Sequence, residues 1–426
     1  MNQTAVITGI GVVTPYGNGC DALVRGLNSS RPAYGPITAF DASTWPVRTG
    51  GWVPDAGADA LPRFHNKLRG MDKYVRLGVL AAQSAIRDSG LEPGAVPPHR
   101  FGAFVSSGTN GHNAEGLFAA FDQARGADNQ LDLGKLSADG LDRIHPWWLL
   151  GTISNNLIFF VTHFLRLEGA NSNVCNSAAG GAAMLSRAVE AVNSGEVDAA
   201  LVGGADATLN WQLISDLSRL GLLAHGDPRD VAPLRPFTAG APGTVLSEAA
   251  VFLVLERASD AASRGRSPLA AIHRTASHGS FRDPIHPAPD GHETTLVMDR
   301  LLSAVAAADD GPVSLLVNAA GTGLERWDAS ELAGLEAAAR AHPGITCLLG
   351  SSKPMLGHAF SASFLLETAA TVLAMRGACP IALPVQPELP GTILAAAPPS
   401  PGRHSWAVNL EHCFGGNTAG VLLHVA

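Results

Sequence analysis

Stretches of alternating and of continuous hydrophobicity follow one another along the chain, and they predict strands that alternate with helices. Residues Ala5 to Ile10 form a predicted strand that leads to a turn at Thr14 to Gly17. Tyr74 to Ala85 has apolar residues at helical spacing and stops at Ser89 and Gly90, and Phe101 to Val105 is another predicted strand. Alternation of this kind is typical of layered α/β proteins.

Two segments, one in each half of the chain, are small or apolar on nearly every face. They run from Ala178 to Val192 and from Ala359 to Met375. A helix without a polar face is usually buried, so these segments predict a central pair of helices in a duplicated fold. The apolar stretch from Trp147 to Leu165 contains Asn156 and His163. Because a bilayer would penalise these polar groups, we expect this stretch in the protein core and no membrane insertion.

Composition narrows the classes of function. With 426 residues, 46% hydrophobic and 15% charged, the chain can bury a large interior and a subunit interface. The net charge of −8 argues against a nucleic-acid-binding surface. Five scattered cysteines without a CxxC pair support neither a metal site nor a disulfide framework. A strand predicted almost at the N-terminus leaves no room for a signal peptide, so the expected location is the cytoplasm.

Several short motifs occur in a fixed order along nearly the whole chain. They are Val6 to Gly17, Gly195 to Asp206, Arg235 to Phe237 with Ser247 to Glu256, Ser351 to His358, and Phe414 to Gly416. As an ordered set they resemble the β-ketoacyl-acyl-carrier-protein synthases of the thiolase-like superfamily. Within that family the chain is most similar to the chain-length-factor subunits (ketosynthase β) of type II polyketide synthases. The resemblance implies a thiolase-like α/β fold with two duplicated halves, residues 1–255 and 256–426, in a five-layer αβαβα arrangement.

The family's chemistry uses one cysteine and two histidines. The cysteine sits at a strand-to-helix elbow, where the helix N-terminus favours the thiolate, and the histidines stabilise an enolate. The spacing to Gly181 and to the later glycine motif places Ala178, and not Cys175, at the elbow. Ala320 stands where the first histidine belongs, whereas the second survives as His358, preceded by Lys353 in its motif. We therefore expect that this chain alone neither becomes acylated nor condenses, and a stable acyl adduct on Cys175 would overturn this expectation.

The resemblance implies a role in a heterodimer. The partners would be an active ketosynthase subunit and an acyl carrier protein, whose phosphopantetheine delivers the acyl chain, and no further cofactor is expected. Phe118 and Phe121 are three residues apart, so on a helix they would share a face and could form the tunnel floor. The remaining expected site residues are Asn110 and His112 near the tunnel and interface, and Thr322, Phe414, Gly415 and Gly416 in the pantetheine and oxyanion loops.

Two alternatives stay open at the level of sequence. One is an active acyltransferase that uses Cys175 with His358, because acyl transfer to an amine or alcohol needs no decarboxylating histidine. The other is a structural homodimer.

Overall fold

The structure is a computed structural model that describes residues 4–55, 70–108, 114–226, 234–280, 282–309, 311–381 and 394–425. Asn110 and His112 lie outside these residues. The strands within them are β1 (Ala5–Thr14), β2 (Gly17–Asn18), β3 (Gly35–Pro36), β4 (Thr49–Gly50), β5 (Phe101–Ser107), β6 (Asn171–Val174), β7 (Ala199–Asp206), β8 (Ala249–Arg257), β9 (Ala270–Gly279), β10 (Val313–Asn318), β11 (Ile345–Gly350), β12 (Ala395–Ala396), β13 (Trp406–Cys413) and β14 (Asn417–His424).

The helices of the same residues alternate with these strands. They are α1 (Cys20–Asn28), α2 (Lys73–Ser89), α3 (Glu115–Gln123), α4 (Leu133–Lys135), α5 (Trp148–Thr152), α6 (Asn156–Leu165), α7 (Ser177–Asn193), α8 (Trp211–Arg219), α9 (Ala258–Ser263), α10 (His292–Ala308), α11 (Glu325–Ala341), α12 (Lys353–Leu356) and α13 (Ser363–Met375). Helix α2 ends where the sequence predicts, since Gly90 adopts the left-handed conformation (φ 67°) that closes a helix.

The sheet runs in the order β12-β11-β10-β13-β14-β9-β1-β8-β7-β5-β6. Its two halves join where β1 pairs with β9 over only two residue pairs, Val6 with Ala271 and Ile7 with Ala270. Helices α7 and α13 pack on each other between the halves, α2 covers β1 and β8 from outside, and α10 and α11 cover the other half. The predicted α/β fold with five layers is confirmed. The division at residue 255 stays a prediction.

The two central helices differ in burial. All of α13 is buried apart from the partly exposed Leu373, as the sequence predicts. Helix α7 is buried on one side only, because Ala183, Ser186 and Glu190 form an exposed strip. Small residues fit both a tight interface and a solvent face, so their presence did not reveal this strip.

The expectation that Trp147 to Leu165 is core is wrong for one of its faces. Leu157, Phe160 and Val161 of α6 pack in the core beside α2. The opposite face exposes large apolar side chains: Trp147 by 50%, Leu149 by 61%, Leu150 by 41%, Ile153 by 37% and Phe159 by 56%. None of the helices described is both long and apolar enough to cross a bilayer.

Candidate active site and family

The elbow lies where β6 leads into α7. Ser177 takes a positive φ of 38°, which is rare for a residue with a side chain and marks a sharp turn. Ala178 follows as the second residue of α7 and is fully buried. Cys175 lies before the turn, is exposed, and donates its thiol hydrogen to the carbonyl of Gly108 at 3.2 Å. The structure therefore places Ala178, and not Cys175, at the start of the helix, as the register argument expects.

A small cavity of about 20 Å³ opens beside this elbow. Three of the predicted site residues line it, namely Thr322, His358 and Phe414. Ser177 and Cys413 also contribute to its wall, and most of the remaining lining is apolar. The cavity thus joins the start of α7 to loops from the second half of the chain.

His358 is held in one tautomer by its neighbours. Its backbone N–H donates to the carbonyl of Val245 at 2.8 Å, and its Nδ1 accepts from the N–H of Phe360 at 3.1 Å. A neutral imidazole that accepts at Nδ1 carries its proton on Nε2. Burial, and then the charge of Lys353, lower the pKa of His358 well below its ordinary value. His358 is thus a neutral donor, and its Nε2–H makes no hydrogen bond with any residue that the structure describes.

Lys353 belongs to a buried ion cluster. Its Nζ contacts a carboxylate oxygen of Glu367 and lies 3.1 Å from Oε2 of Glu411. The exposed fractions of the three side chains are 0%, 1% and 0%. Burial opposes the charge of Lys353, but the two carboxylates raise its pKa above the ordinary value. The structure therefore places Lys353 as the shared cation of two buried carboxylates, outside the residues that line the cavity.

Ala320 lies in the loop after β10, with its backbone fixed by a second carboxylate cluster. Glu331 accepts hydrogen bonds from the N–H of Ala320 at 2.8 Å and of Gly321 at 3.0 Å. His412 Nε2 lies 3.6 Å from Oε1 of the same carboxylate. Burial opposes the charge of Glu331, but His412 and the two N–H groups hold its pKa below the ordinary value. The methyl group of Ala320 offers no donor for a substrate oxygen.

Thr322 is tied to Asp328 in the same loop. Oδ1 of Asp328 accepts from the Thr322 backbone at 2.9 Å and from its hydroxyl at 3.0 Å. Burial and the nearby Glu331 raise the pKa of Asp328 to about 7, against the effect of the N–H groups that it accepts. The hydroxyl of Thr322 is thus already engaged, although its side chain borders the cavity.

The loop that follows β13 contains Phe414, Gly415 and Gly416. Both glycines have positive φ, 83° and 71°, a conformation that glycine adopts without strain. The N–H of Gly415 donates to the carbonyl of Pro284 at 2.8 Å, and the carbonyl of Gly416 accepts from Ser280 at 2.6 Å. The Gly415 N–H is consequently occupied, which favours a structural role for this glycine.

Phe118 and Phe121 lie on α3, as the spacing argument requires, but at the protein surface. Their exposed fractions are 49% and 42%, and neither lines the cavity beside His358. The ring of Phe118 lies 5.9 Å from that of Trp211. Their role as a tunnel floor stays a prediction.

Comparison with known proteins identifies the family. The model for the "Beta-ketoacyl synthase, N-terminal domain" matches residues 2–261, and that for the "Beta-ketoacyl synthase, C-terminal domain" matches residues 269–382. The chain belongs to the β-ketoacyl synthase family. Its similarity to nodulation protein E of Rhizobium leguminosarum bv. trifolii is 28% identity over 88% of this chain and 87% of that protein. With 3-oxoacyl-[acyl-carrier-protein] synthase 2 of Coxiella burnetii, identity is 26% over 88% and 86%.

Solved β-ketoacyl synthases share the fold. A type II polyketide ketosynthase in complex with its acyl carrier protein (AntDE:AntF) superposes with a TM-score of 0.83 and 21% identity over the whole of both chains. The ishigamide ketosynthase/chain length factor gives a TM-score of 0.79 and 23% identity, again over both whole chains. At these identities the likeness establishes the thiolase-like architecture alone.

Sequence reasoning missed most of the charged and thiol groups around the site of this member of the β-ketoacyl synthase family. They are Asp328, Glu331, Glu367, Glu411, His412 and Cys413. Three of them directly precede Phe414 in the sequence, so the short segment before that motif was the signal available. Among the described residues, no group of three or more His, Cys, Asp or Glu side chains is arranged to hold a metal ion.

Proposed function

We propose that this chain is a chain-length-factor-like subunit of a heterodimeric ketosynthase and does not itself condense. The observation that carries the proposal is a pair of buried methyl groups, Ala178 at the elbow and Ala320 in the loop after β10, neither of which lines the cavity at His358. A methyl group can neither attack a thioester nor donate a hydrogen bond to an enolate oxygen. The partner subunit would supply the cysteine and both histidines.

The expected pairing surface is the edge of the sheet at β6. Within the described part of the chain β6 pairs only with β5, which leaves its other edge open. The apolar face of α5 and α6, with Trp147, Leu149 and Phe159, is exposed in the same part of the sequence. Large exposed apolar patches mark interaction sites. We expect a ketosynthase subunit to cover this region in an interface of about 2,000 Å² or more.

In this proposal the subunit sets product length from the interface. The growing chain on the partner's cysteine needs an apolar tunnel, and the half-exposed Phe118 and Phe121 offer apolar surface outside the cavity at His358. An acyl carrier protein would deliver the chain on phosphopantetheine, in type II polyketide, polyene or specialised fatty-acid synthesis. The fold shared with the ishigamide ketosynthase/chain length factor supports this proposal. A location in the cytoplasm is part of the same proposal.

The acyltransferase alternative based on Cys175 has less support. Burial, and then Asp206, raise the pKa of this thiol, and no cationic group is among the causes of the shift. Its hydrogen is donated to Gly108, and the side chain does not line the cavity that holds His358. No observation specifically favours the structural homodimer.

Co-expression tests the proposal. The chain and a ketosynthase with an intact cysteine and two histidines should co-purify as a heterodimer and make β-ketoacyl products, whereas the chain alone should make none. Phe159→Asp should weaken the pairing, because it places a charge on the apolar face. Leu220→Asp is the matched control, since Leu220 is 55% exposed against 56% for Phe159 but lies outside α5, α6 and β6. A stable homodimer that pairs with no ketosynthase would contradict the proposal.

A further inference from the structure

A cavity of about 330 Å³ lies at the far end of the fold from the elbow. Helix α13 ends there, and β13 begins there, whereas the other end of β13 lines the cavity beside His358. The 13 residues of α13 span about 20 Å, so the two cavities are separate. The residues that line the distant cavity, which we call the arginine pocket, are Met375, Arg376, Arg403, His404, Ser405 and Val425.

Two arginines lie directly opposite each other at the arginine pocket. Arg376 and Arg403 are partners in an isolated antiparallel β-bridge, and both line the pocket. Directly opposite residues in such a pair carry their side chains on the same face, where like charges are destabilising. Neither guanidinium forms an ion pair with any residue that the structure describes. Arg376 donates to the carbonyl of Leu269 at 3.3 Å, which leaves most of its N–H groups available to a ligand.

The rest of the lining adds donors and no negative side chain. None of the six residues of the arginine pocket carries a carboxylate. The backbone carbonyls of Met375 and Ser405 already accept from the N–H groups of His404 at 3.0 Å and of Val425 at 2.8 Å. Burial lowers the pKa of His404, so near neutral pH its imidazole is neutral and donates from one nitrogen. The pocket therefore offers two cations, an imidazole N–H and a hydroxyl.

The end of α13 does not neutralise the two arginines. A helix C-terminus carries the equivalent of about half a negative charge, against two full positive charges here. The last carbonyls of α13 already accept the backbone N–H groups of Arg376, Gly377 and Ala378. The chain as a whole has a net charge of −8, so a general excess of basic residues does not account for the pair. The arginine pocket is thus a local positive site in an acidic protein.

We propose that the arginine pocket binds the phosphate group of a small phosphorylated molecule between Arg376 and Arg403. A phosphate dianion brings two negative charges and several acceptor oxygens, and the planar N–H fork of arginine matches phosphate in a bidentate way. His404 and Ser405 donate to the remaining oxygens. A volume of about 330 Å³ is at the lower end for small-molecule sites, so the pocket admits phosphate with a group of modest size attached.

This inference goes beyond the proposed function and does not rest on it. The arginine pocket includes no residue of β6, α5 or α6, where the ketosynthase partner is expected. Failure to bind phosphate therefore leaves the heterodimer untouched, and failure to form the heterodimer leaves phosphate binding untouched.

The test is calorimetric titration of the purified full chain at about pH 8, where phosphate is a dianion. The probes are inorganic phosphate, AMP as a phosphomonoester, and acetate as a monoanion, all at one ionic strength. Phosphate and AMP should bind, and acetate should bind about tenfold more weakly or less. Tighter binding of AMP than of phosphate would identify a phosphomonoester as the ligand, and equal binding would identify free phosphate.

Variants of the arginines test the assignment. Arg403→Gln should weaken phosphate binding by about tenfold or more, and Arg403→Lys by less, because lysine keeps the charge but lacks the fork. Both arginines are exposed, so these changes leave the core intact. The matched control is Arg125→Gln, which removes an exposed arginine of the other half of the chain and should bind phosphate as the wild type does.

Chemical modification of arginine locates the bound phosphate. Phosphate should slow the reaction of Arg376 and Arg403 with phenylglyoxal, measured by peptide mapping, and should leave that of Arg125 unchanged. Acetate binding as tight as phosphate binding would overturn the proposal. So would phosphate binding that both Arg376→Gln and Arg403→Gln leave unchanged, or equal protection of Arg125.

Discussion

Replacement of Lys353 by methionine tests the buried ion cluster beneath the site. The ammonium group is shared by Glu367 and Glu411, and all three side chains are at most 1% exposed. Methionine fills a similar volume but leaves two carboxylates in the protein interior without their cation. Removal of one partner from a buried pair typically costs about 3–5 kcal/mol, because the remaining charge is uncompensated. We expect Lys353→Met to lower the free energy of unfolding by about this amount near neutral pH.

The loss of unfolding free energy in Lys353→Met should be larger at high pH than at low pH. Burial already raises the pKa of Glu367 well above, and that of Glu411 above, the ordinary value. Without Lys353, which lowers both, these pKa values rise further above those of the unfolded chain. Stability from a carboxylate with a raised folded pKa is present at low pH and is lost as the pH rises through that pKa. The deficit of the variant should therefore be largest near about pH 8 and should shrink toward about pH 5.

The assay is urea unfolding of wild type and variant across this pH range, with the transition followed by two independent probes. The matched control is Arg340→Met, which breaks a surface ion pair with Glu336 on α11. Exposed pairs of this kind contribute about 0.3–0.5 kcal/mol, so the control should unfold almost as wild type does. A deficit for Lys353→Met below about 1 kcal/mol, or one that does not change with pH, would refute the assigned cluster.

The remaining predictions concern product length, condensation and the second carboxylate cluster. In the reconstituted heterodimer, Phe118→Ala or Phe121→Ala should give longer products, measured by mass spectrometry, because each further buried CH₂ contributes about 0.8 kcal/mol. Wild-type products at wild-type activity would show that these two residues do not form the tunnel floor. Ala178→Cys in the chain alone should yield no β-ketoacyl product, because Ala320 still lacks the imidazole, and any such product would show that the imidazole is dispensable. Glu331→Gln should lower the free energy of unfolding by about 1–3 kcal/mol. This difference between wild type and variant should become smaller as the pH falls through the lowered pKa of Glu331. A difference that grows as the pH falls would contradict the pairing of Glu331 with His412.

The spacing of hydrophobic residues along the sequence was sufficient to predict many of the strands and helices. The strand at Ala5 continues to Thr14 and the helix at Tyr74 starts one residue earlier, so both elements lie where hydrophobic spacing predicts them. The pattern was insufficient for α7 and α6, whose exposed faces consist of small or apolar residues. An apolar residue on a subunit interface and one in a core satisfy the same sequence pattern, because both are buried in the assembly.

Some features of the candidate site could likewise be predicted from the sequence, and others could not. Spacing from glycine motifs was enough to put Ala178 at the elbow and to single out His358, because both depend on positions that are close in sequence. Cys413 could not be found by spacing, since it meets Asn176 across 237 positions of the chain. Nor could spacing show that the His358 proton lies on Nε2, which follows from the N–H of Phe360 donating to Nδ1, with the Ser363 hydroxyl 3.5 Å from the same nitrogen.

The buried charged groups explain why the site keeps its structure although the family's cysteine and first histidine are replaced by alanine. Glu331 satisfies the N–H groups of the loop at Ala320, and Lys353 compensates two carboxylates. Loss of Glu331 would leave buried donors unpaired at a cost of about 1–3 kcal/mol, and loss of Lys353 would leave buried charges unpaired at a cost of about 3–5 kcal/mol. The side chains of Ala178 and Ala320 take part in neither cluster, so small apolar residues fit at both positions without disturbing a buried charge. In the proposed non-condensing role the thiol and imidazole are therefore lost at little cost in stability, whereas the ionic framework must stay for the fold.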